Sequence, residues 1–192
     1  MKYALLGDLH GHYQNTKKVL SHIKSIAPNA QIIGLGDLYE CKIGKKKAAK
    51  LENLVGIEQA VTIEEKFEQL LTFPSIIGNQ EERICRVTGE KRFLQYEKEI
   101  RIPLATLIHG HQFEWDECFQ PTFPHFETPL VFFGHSHRAA IYIDYVRTPI
   151  EYGVLYDVSK GDYIINVGAV CETCDWCLYD SEQLTVTFYQ AL

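Results

Sequence analysis

Side chains that commonly bind metal ions recur where apolar stretches of this sequence end. Five such endings occur, in the order Gly7-Asp8-Leu9-His10, Gly36-Asp37, Gly78-Asn79, His109-Gly110 and Gly134-His135-Ser136-His137. In open α/β sheets, ligands bind beside the carboxyl ends of the strands. If the apolar stretches are strands of such sheets, their endings can converge on one site.

The donor types indicate which metal chemistry this site would support. The seven candidates are two Asp, one Asn and four His, namely Asp8, His10, Asp37, Asn79, His109, His135 and His137. A mixed nitrogen and oxygen set without thiolate suits Mn, Fe, Zn, Ni or Co. Seven ligands exceed the need of one ion, and two ions roughly 3.5–4 Å apart form a clamp for phosphoryl transfer. Each ending alone also occurs in ordinary turns and caps, so the hypothesis depends on the whole set.

The elements that must position these side chains alternate in the first half of the chain. Apolar stretches predict strands at 3–6, 31–35, 73–77, 104–108, 130–133, 140–145, 163–167, 177–179 and 184–189, and helical spacing predicts helices over 19–26 and 63–71. Residues 113–129, which are rich in Phe and Pro, are expected to form a long ordered loop. We predict an α/β protein of two packed sheets covered by helices. No linker or repeat divides residues 1–192, so we expect a single domain.

These motifs resemble those of the calcineurin-like metallophosphoesterases. The family pattern D-x-H, G-D, G-N-H-D/E, H and G-H-x-H is matched here by Asp8-Leu9-His10, Gly36-Asp37, Gly78-Asn79-Gln80-Glu81, His109 and Gly134-His135-Ser136-His137. The resemblance covers about residues 1–170. Within the family, the sequence is most similar to the compact bacterial and archaeal phosphodiesterase branch. It implies a metallo-dependent phosphatase fold, a four-layer sandwich of two mixed β-sheets flanked by α-helices.

The resemblance also implies a role for each ligand. One metal ion would be held by Asp8, His10, Asp37 and His137, and the second by Asp37, Asn79, His109 and His135. Asp37 would bridge the two ions, and a hydroxide held between them would attack phosphorus. His109 is preferred to His111 because it directly precedes Gly at the strand end. Two divalent ions are expected as cofactors, with Mn as our prediction and Fe, Ni, Zn or Co as alternatives.

The sequence departs from the family pattern at the position that supplies a leaving-group acid. Gln80 stands where many members carry His, and Gln cannot donate a full proton. His12 is predicted as a substitute catalytic residue and His111 is the alternative, although both could lie outside the site. A second departure is the Cys171, Cys174 and Cys177 spacing, which could bind zinc, but plain loop thiols are the favoured interpretation.

Composition limits the range of partners. The net charge of −6 argues against a general nucleic-acid binder. No stretch of about 18 apolar residues predicts a membrane span, and the early polar residues of the N-terminus favour a cytoplasmic protein. The lysines of segment 42–50 are expected to form a solvated helix start, with a basic lip over the site as the alternative.

The sequence therefore predicts a metal-dependent phosphoric ester hydrolase. The expected substrate is a phosphodiester or phosphomonoester of a small metabolite or nucleotide. A protein phosphatase or dinucleoside-polyphosphate hydrolase is the alternative, although the segment after Asp37 lacks the Arg that bidentate phosphate binding favours. A catalytically inactive binding module on the same fold ranks last, because all seven ligands are present.

Overall fold

The computed structural model describes residues 1–192. Thirteen strands follow the chain as β1 Lys2–Leu6, β2 Gln31–Gly34, β3 Glu99–Ile102, β4 Ala105–Ile108, β5 Glu114–Trp115, β6 Pro121–Thr122, β7 Leu130–Phe133, β8 Ala140–Ile143, β9 Val146–Thr148, β10 Leu155–Asp157, β11 Tyr163–Asn166, β12 Asp175–Asp180 and β13 Thr185–Gln190. The helices are α1 Tyr13–Ile26, α2 Lys45–Ala48, α3 Ile57–Ala60, α4 Glu65–Glu68, α5 Asn79–Thr88 and α6 Val170–Thr173, with a 3-10 helix at Arg92–Gln95.

The strands form two large mixed sheets. The first sheet has the order β10-β13-β12-β1-β2, and the second has the order β3-β4-β7-β11-β8-β9. In the first, β1 is parallel to β2 and antiparallel to β12. In the second, β4, β7 and β11 run parallel, whereas β8 is antiparallel to β11. The prediction of an α/β fold with two mixed sheets is confirmed.

Strand β1 shows why its sequence is a continuous apolar run. Tyr3 and Leu5 pack in the core between the two sheets, and Ala4 and Leu6 pack under the helices on the other face. Successive side chains of a strand point to opposite faces, so a strand covered on both sides needs apolar residues at every position. This central place in the first sheet brings the carboxyl end of β1 to the middle of the molecule.

The outer face of the second sheet is covered by the aromatic segment 113–126. Phe113 packs edge-to-face on Phe133 of β7 with ring centroids 5.1 Å apart, and Phe123 packs on Tyr142 of β8 at 4.9 Å. The segment carries the two-stranded ribbon β5-β6. The buried residues on this face thus pack against a long ordered loop, as expected for 113–129, and the helices cover the first sheet.

Two predictions about local structure were wrong, and some elements were not predicted. No strand forms over 73–77, where only single bridges pair Gly34 with Ser75 and Ile76 with Glu97. Pro74 has no N–H to contribute to a ladder, which accounts for the interruption. The helix expected over 63–71 is limited to Glu65–Glu68, and α5 and β3 were not predicted. The first of the omitted elements, α5, contributes directly to the site described below.

None of the helices is long and apolar enough to cross a bilayer.

Candidate metal centre

The chain turns that follow β1, β2, β4 and β7 meet beside the first residue of α5. They bring donor atoms of Asp8, His10 and Asp37 within 4.8 Å of one another, and donor atoms of Asp37, His109 and His135 form a second group with the same spacing. Asp37 belongs to both groups. This is the arrangement in which one carboxylate can serve two ions.

Five of the seven predicted ligands have left-handed backbone conformations. Their φ angles are 54° for Asp8, 49° for His10, 50° for Asp37, 67° for His135 and 60° for His137. Non-glycine residues rarely adopt this conformation, which turns the chain sharply at the strand end. Two side chains of one short segment, such as those of Asp8 and His10, can therefore face the same metal position.

Two surface carboxylates orient the histidines of the first group. Glu40 contacts Nδ1 of His10, and Oε1 of Glu172 lies 2.8 Å from Nδ1 of His137. A carboxylate accepts the Nδ1 proton, so the lone pair of each ring is on Nε2. The two Nε2 atoms are 3.3 Å apart, and Nε2 of His137 is 3.4 Å from Oδ1 of Asp8. Three electron-rich atoms thus converge on one position.

The second group is oriented by the backbone of β2. Nδ1 of His109 donates to the carbonyl of Leu35 at 2.7 Å, which leaves its Nε2 as an acceptor. That Nε2 is 3.3 Å from Oδ2 of Asp37 and 3.2 Å from Oδ1 of Asn79. With its amide turned over, Asn79 donates its side-chain N–H groups to Nε2 of His109 and Nδ1 of His135, and its oxygen accepts from the N–H of Gln80 and from Nη2 of Arg83. A cation between the two rings would instead require the amide oxygen to face it, because the amide nitrogen is only a donor.

The carboxylate of Asp8 has one unpaired oxygen, and this oxygen indicates whether a metal ion suits the site. Asp8 is fully buried, and its Oδ2 accepts a hydrogen bond from the His135 N–H at 2.9 Å. Its Oδ1 is buried without any hydrogen-bond partner. Leaving a buried carboxylate oxygen unsatisfied is costly, and a divalent ion would satisfy it. The group of donors that contains Asp8 therefore fits a divalent cation.

The electrostatics of the pocket follow from its buried carboxylates. Burial lowers the pKa of His10, but the Asp8 and Glu40 carboxylates outweigh burial and raise this pKa to about 10. In the same way, Asp37 outweighs burial and raises the pKa of His109 to about 9. For His135, burial and the neighbouring His109 lower the pKa to about 4. Protons on His10 and His109 thus balance the carboxylates of the metal-free chain, and a metal ion must displace them.

Two buried polar residues hold the loops that carry the ligands. Glu81 accepts hydrogen bonds from the backbone N–H groups of Asp37, Tyr39 and Gly78 at 3.0, 2.9 and 2.9 Å. Asn166 donates to the carbonyl of Gly134 at 2.7 Å, within the segment that contains His135. Glu81 thus joins the Asp37 loop to the start of α5, and Asn166 fixes the loop after β7.

A family model described as the calcineurin-like phosphoesterase superfamily domain matches residues 1–179. The chain belongs to this superfamily. The prediction of a phosphoric ester hydrolase of the metallophosphoesterase type is thereby confirmed, and with it a dependence on divalent metal ions.

Solved structures of the superfamily share the fold at low sequence identity. A metallophosphoesterase from Sphaerobacter thermophilus is similar over 100% of this chain and 89% of that chain, at 19% identity and a TM-score of 0.66. A putative diadenosine tetraphosphatase is similar over 100% of this chain and 94% of that chain, at 14% identity and a TM-score of 0.51. An archaeal phosphodiesterase covers 99% of each chain, at 16% identity and a TM-score of 0.50. No curated protein sequence matches this chain.

The two candidate acids differ in their distance from the predicted ligands, since the ring of His111 lies 5.3 Å from that of His109 and 6.3 Å from that of His135. His12 is exposed at the start of α1, where its Nδ1 accepts from the N–H of Asn15 at 3.4 Å. This capping position gives no support to a catalytic role for His12. His111 is half-buried, and its Nε2 pairs with Glu82 at 3.2 Å. Gln80, at the position of the missing His, uses its side-chain oxygen to accept from the N–H of Cys41.

The three clustered cysteines do not form a zinc site. Cys177 lies within β12 in the core between the sheets, whereas Cys174 packs under the helices. Only Cys171 approaches possible metal ligands, with its sulfur within 4.8 Å of donor atoms of His10 and His137. The favoured interpretation of separate thiols agrees with this placement, and all six cysteines of the chain are free.

Several residues of the site were not among the predicted ones. Glu40 follows Asp37 by three positions and was open to prediction from its closeness to a motif. Glu172 contacts a histidine 35 positions earlier, so no local pattern signals its role. Lys45 and Arg83 line the same depression as the predicted ligands. The lysines of segment 42–50 are exposed and a short helix begins at Lys45, as expected for a solvated helix start, and Lys45 in addition lines the depression, as the alternative of a basic lip requires.

Proposed function

We propose that this chain hydrolyses a phosphodiester or phosphomonoester of a small metabolite or nucleotide, using two divalent ions. One ion would be bound by Asp8, His10, Asp37 and His137, and the other by Asp37, Asn79, His109 and His135. The observation that carries this proposal is the membership of Asp37 in both groups of converging donors. One carboxylate shared by two acceptor clusters is what a two-ion centre requires.

The residues around the centre have separate tasks in this reaction. Divalent ions, when bound, lower the pKa of water and neutralise charge on phosphoryl oxygens. Glu40 and Glu172 hold His10 and His137 in the tautomer that leaves Nε2 free for an ion. Glu81 and the N–H of Gln80 fix the Asp37 carboxylate and its loop, the latter through a 2.8 Å hydrogen bond to Oδ1. No protein nucleophile is needed.

Because the chain carries Gln80 in place of an acid, we expect a substrate with a good leaving group. Its side chain bonds to the backbone of Cys41 and has no acidic proton to give. An aryloxide, or a nucleotide that leaves from a phosphoanhydride, departs without strong protonation, whereas a simple alkoxide needs an acid. The proposed substrates therefore carry an activated leaving group of this kind.

The test begins with metal-free protein that is reloaded with Mn²⁺, Ni²⁺ or Zn²⁺. We expect two bound ions per chain by elemental analysis, and turnover of bis-p-nitrophenyl phosphate, p-nitrophenyl phosphate or both. Asp37→Asn is expected to lower the ion content and to reduce turnover by at least about 100-fold, since the two-ion clamp contributes several kcal/mol. Asp162→Asn, at an exposed aspartate, is the matched control.

Two results would contradict the proposal. Absence of turnover of both esters with every divalent ion would exclude the hydrolase reaction. Full activity of Asp37→Asn would show that the shared carboxylate is not the centre of the site. Preference for the diester or the monoester would then assign the activity within the proposed class.

Some finer points stay predictions from the sequence. We propose Mn²⁺ as the metal ion and a cytoplasmic location, and we propose that residues 1–192 act as one domain. The last point is supported by β13, which ends at Gln190 and pairs with β12 beside β1. Strands β1 and β13 thus belong to one sheet.

A further inference from the structure

Arg83 is a buried cation without an anionic partner. The residue is only 9% exposed, and the arginines that form ion pairs within 4.0 Å are Arg92 and Arg101. Its Nη2 lies 3.2 Å from the side-chain amide of Asn79, a predicted metal ligand. Burying a charge without a counterion is costly, so a buried, unpaired guanidinium beside a phosphoesterase centre points to an anion that is bound during function.

Arg83 lines a groove that leads away from the metal centre. The groove has a volume of about 380 Å³, and its lining comprises Lys45, Ala49, Asn79, Glu82, Arg83 and Arg86. Three of these residues, Lys45, Asn79 and Arg83, also line the depression that contains His10, Asp37, His135 and His137. The groove is therefore continuous with the predicted metal centre.

The cations are spaced along one face of α5. Asn79, Arg83 and Arg86 stand at positions i, i+4 and i+7 of the helix, which places them in one row. With a rise of 1.5 Å per residue, the row extends about 10 Å from the metal centre. Lys45 of α2 also lines the groove. Glu82, the one acidic residue of the lining, is engaged by His111 at 3.2 Å.

We propose that Arg83, Lys45 and Arg86 bind a second phosphate group of the substrate, next to the one that is cleaved. The substrate would then be a compound with anhydride-linked phosphates, such as a nucleoside polyphosphate. This inference rests on the proposed function and specifies the bond that is cleaved as a phosphoanhydride in place of an ester of an alcohol. Arginine suits the task because its planar fork binds phosphate oxygens in pairs. A net charge of −6 for the chain makes this local cluster of cations more distinctive.

The reaction balances without a protein acid. The oxygen of water bonds to the cleaved phosphorus, and the bond from that phosphorus to the bridging oxygen breaks. The bridging oxygen leaves as part of a phosphate in the groove, and one proton from water passes to solvent. Arg83 stabilises the charge that this leaving phosphate gains. A phosphate leaving group also accounts for Gln80 at the position where an acid is missing.

The test compares tripolyphosphate with orthophosphate as inhibitors of p-nitrophenyl phosphate hydrolysis, with divalent ion in excess over both anions. We expect the wild type to bind tripolyphosphate at least 10-fold more tightly. Arg83→Met and Arg86→Met should each lose on the order of 10- to 100-fold in tripolyphosphate affinity, the size expected for a charge-assisted contact. Orthophosphate inhibition should change far less in Arg86→Met, and Arg83→Lys should restore only part of the lost affinity. Arg147→Met, at an exposed arginine of β9, is the matched control.

Calorimetric titration of tripolyphosphate into the metal-free protein supplies a readout that does not depend on turnover. Binding that weakens in Arg86→Met and Lys45→Met but not in Arg147→Met would support the groove; both test residues are exposed, so the fold is not at risk. Equal affinity for the two anions in the wild type, with normal hydrolysis of the aryl ester, would overturn this inference alone. Absence of aryl ester hydrolysis would instead overturn the proposed function.

Discussion

Replacement of Glu81 tests how strongly its hydrogen bonds join the loop that contains Asp37 to the start of α5. The side chain is fully buried, Oε2 accepts from the N–H groups of Asp37 and Gly78, and Oε1 accepts from that of Tyr39. Glu81→Gln keeps the shape but has one oxygen, so an amide nitrogen would face one N–H donor. The expected cost is about 1–3 kcal/mol for the unsatisfied group.

Glu81→Ala should be much more harmful than the isosteric change. It leaves all three buried N–H groups without an acceptor, which costs roughly 3–9 kcal/mol at 1–3 kcal/mol each. This loss is comparable with the total stability of a typical domain, about 5–15 kcal/mol. Urea denaturation of the metal-free protein at pH 7 measures both variants, with Glu117→Gln at an exposed site as control.

The pH dependence of the unfolding free energy provides a second test of Glu81. Burial and the nearby Asp37 carboxylate raise the pKa of Glu81 from its usual 4.5 to about 7. Between these values the folded chain binds more protons than the unfolded chain at this position. The unfolding free energy therefore falls as pH rises from 4.5 to 7, by roughly 3 kcal/mol for this group.

Glu81→Gln lacks this titration, so its stability deficit relative to the wild type should shrink across the same pH range. A deficit that stays constant from pH 4.5 to 7 would show that folding does not raise the pKa of Glu81. An alanine variant that unfolds at the same urea concentration as the wild type would refute the hydrogen-bond reasoning itself.

The remaining predictions concern the supports of the metal centre. Glu172→Gln should weaken metal affinity by about 10- to 100-fold in calorimetry without changing the circular dichroism spectrum, because it only orients His137; unchanged affinity would contradict this. Gly134→Ala should disrupt the centre, since a Cβ would lie 2.5 Å from Oδ2 of Asp8, whereas Gly44→Ala meets nothing within 4 Å; equal ion content in both variants would refute the clash. Chelation should lower the unfolding temperature, because an ion at 100 times its dissociation constant contributes about 2.7 kcal/mol; scanning calorimetry with and without chelator would detect this.

The strand-end pattern was sufficient to predict which side chains meet. Asp8, Asp37 and His109 each follow an apolar run, and the parallel strands β1 and β2 in one sheet, with β4 and β7 in the other, bring such ends together. The rule works because it depends only on local sequence and on the geometry of parallel strands. The positions of these candidates could therefore be inferred without knowing how the two sheets pack.

The supporting residues could not be predicted in this way, because their partners are distant in sequence. Glu172 and His137 are 35 positions apart, and Glu81 and Asp37 are 44 apart. Arg83 was overlooked because α5 was not predicted, its first half being almost entirely polar. The segment after Asp37 contains no Arg, and the fold brings Arg83 to the site from a different element. Contacts of this kind depend on tertiary packing and not on any local pattern.

The left-handed backbone at five predicted ligands sets selection for stability against selection for function. At each of these positions a residue with a Cβ costs roughly 1–2 kcal/mol that Gly would not. A variant library screened only for thermal resistance of the metal-free chain should therefore enrich Gly at positions 8, 10, 37, 135 and 137. The same substitution would remove the donor at each position. A lineage freed from the need to bind metal would thus lose this site first, and would become more stable as it did so.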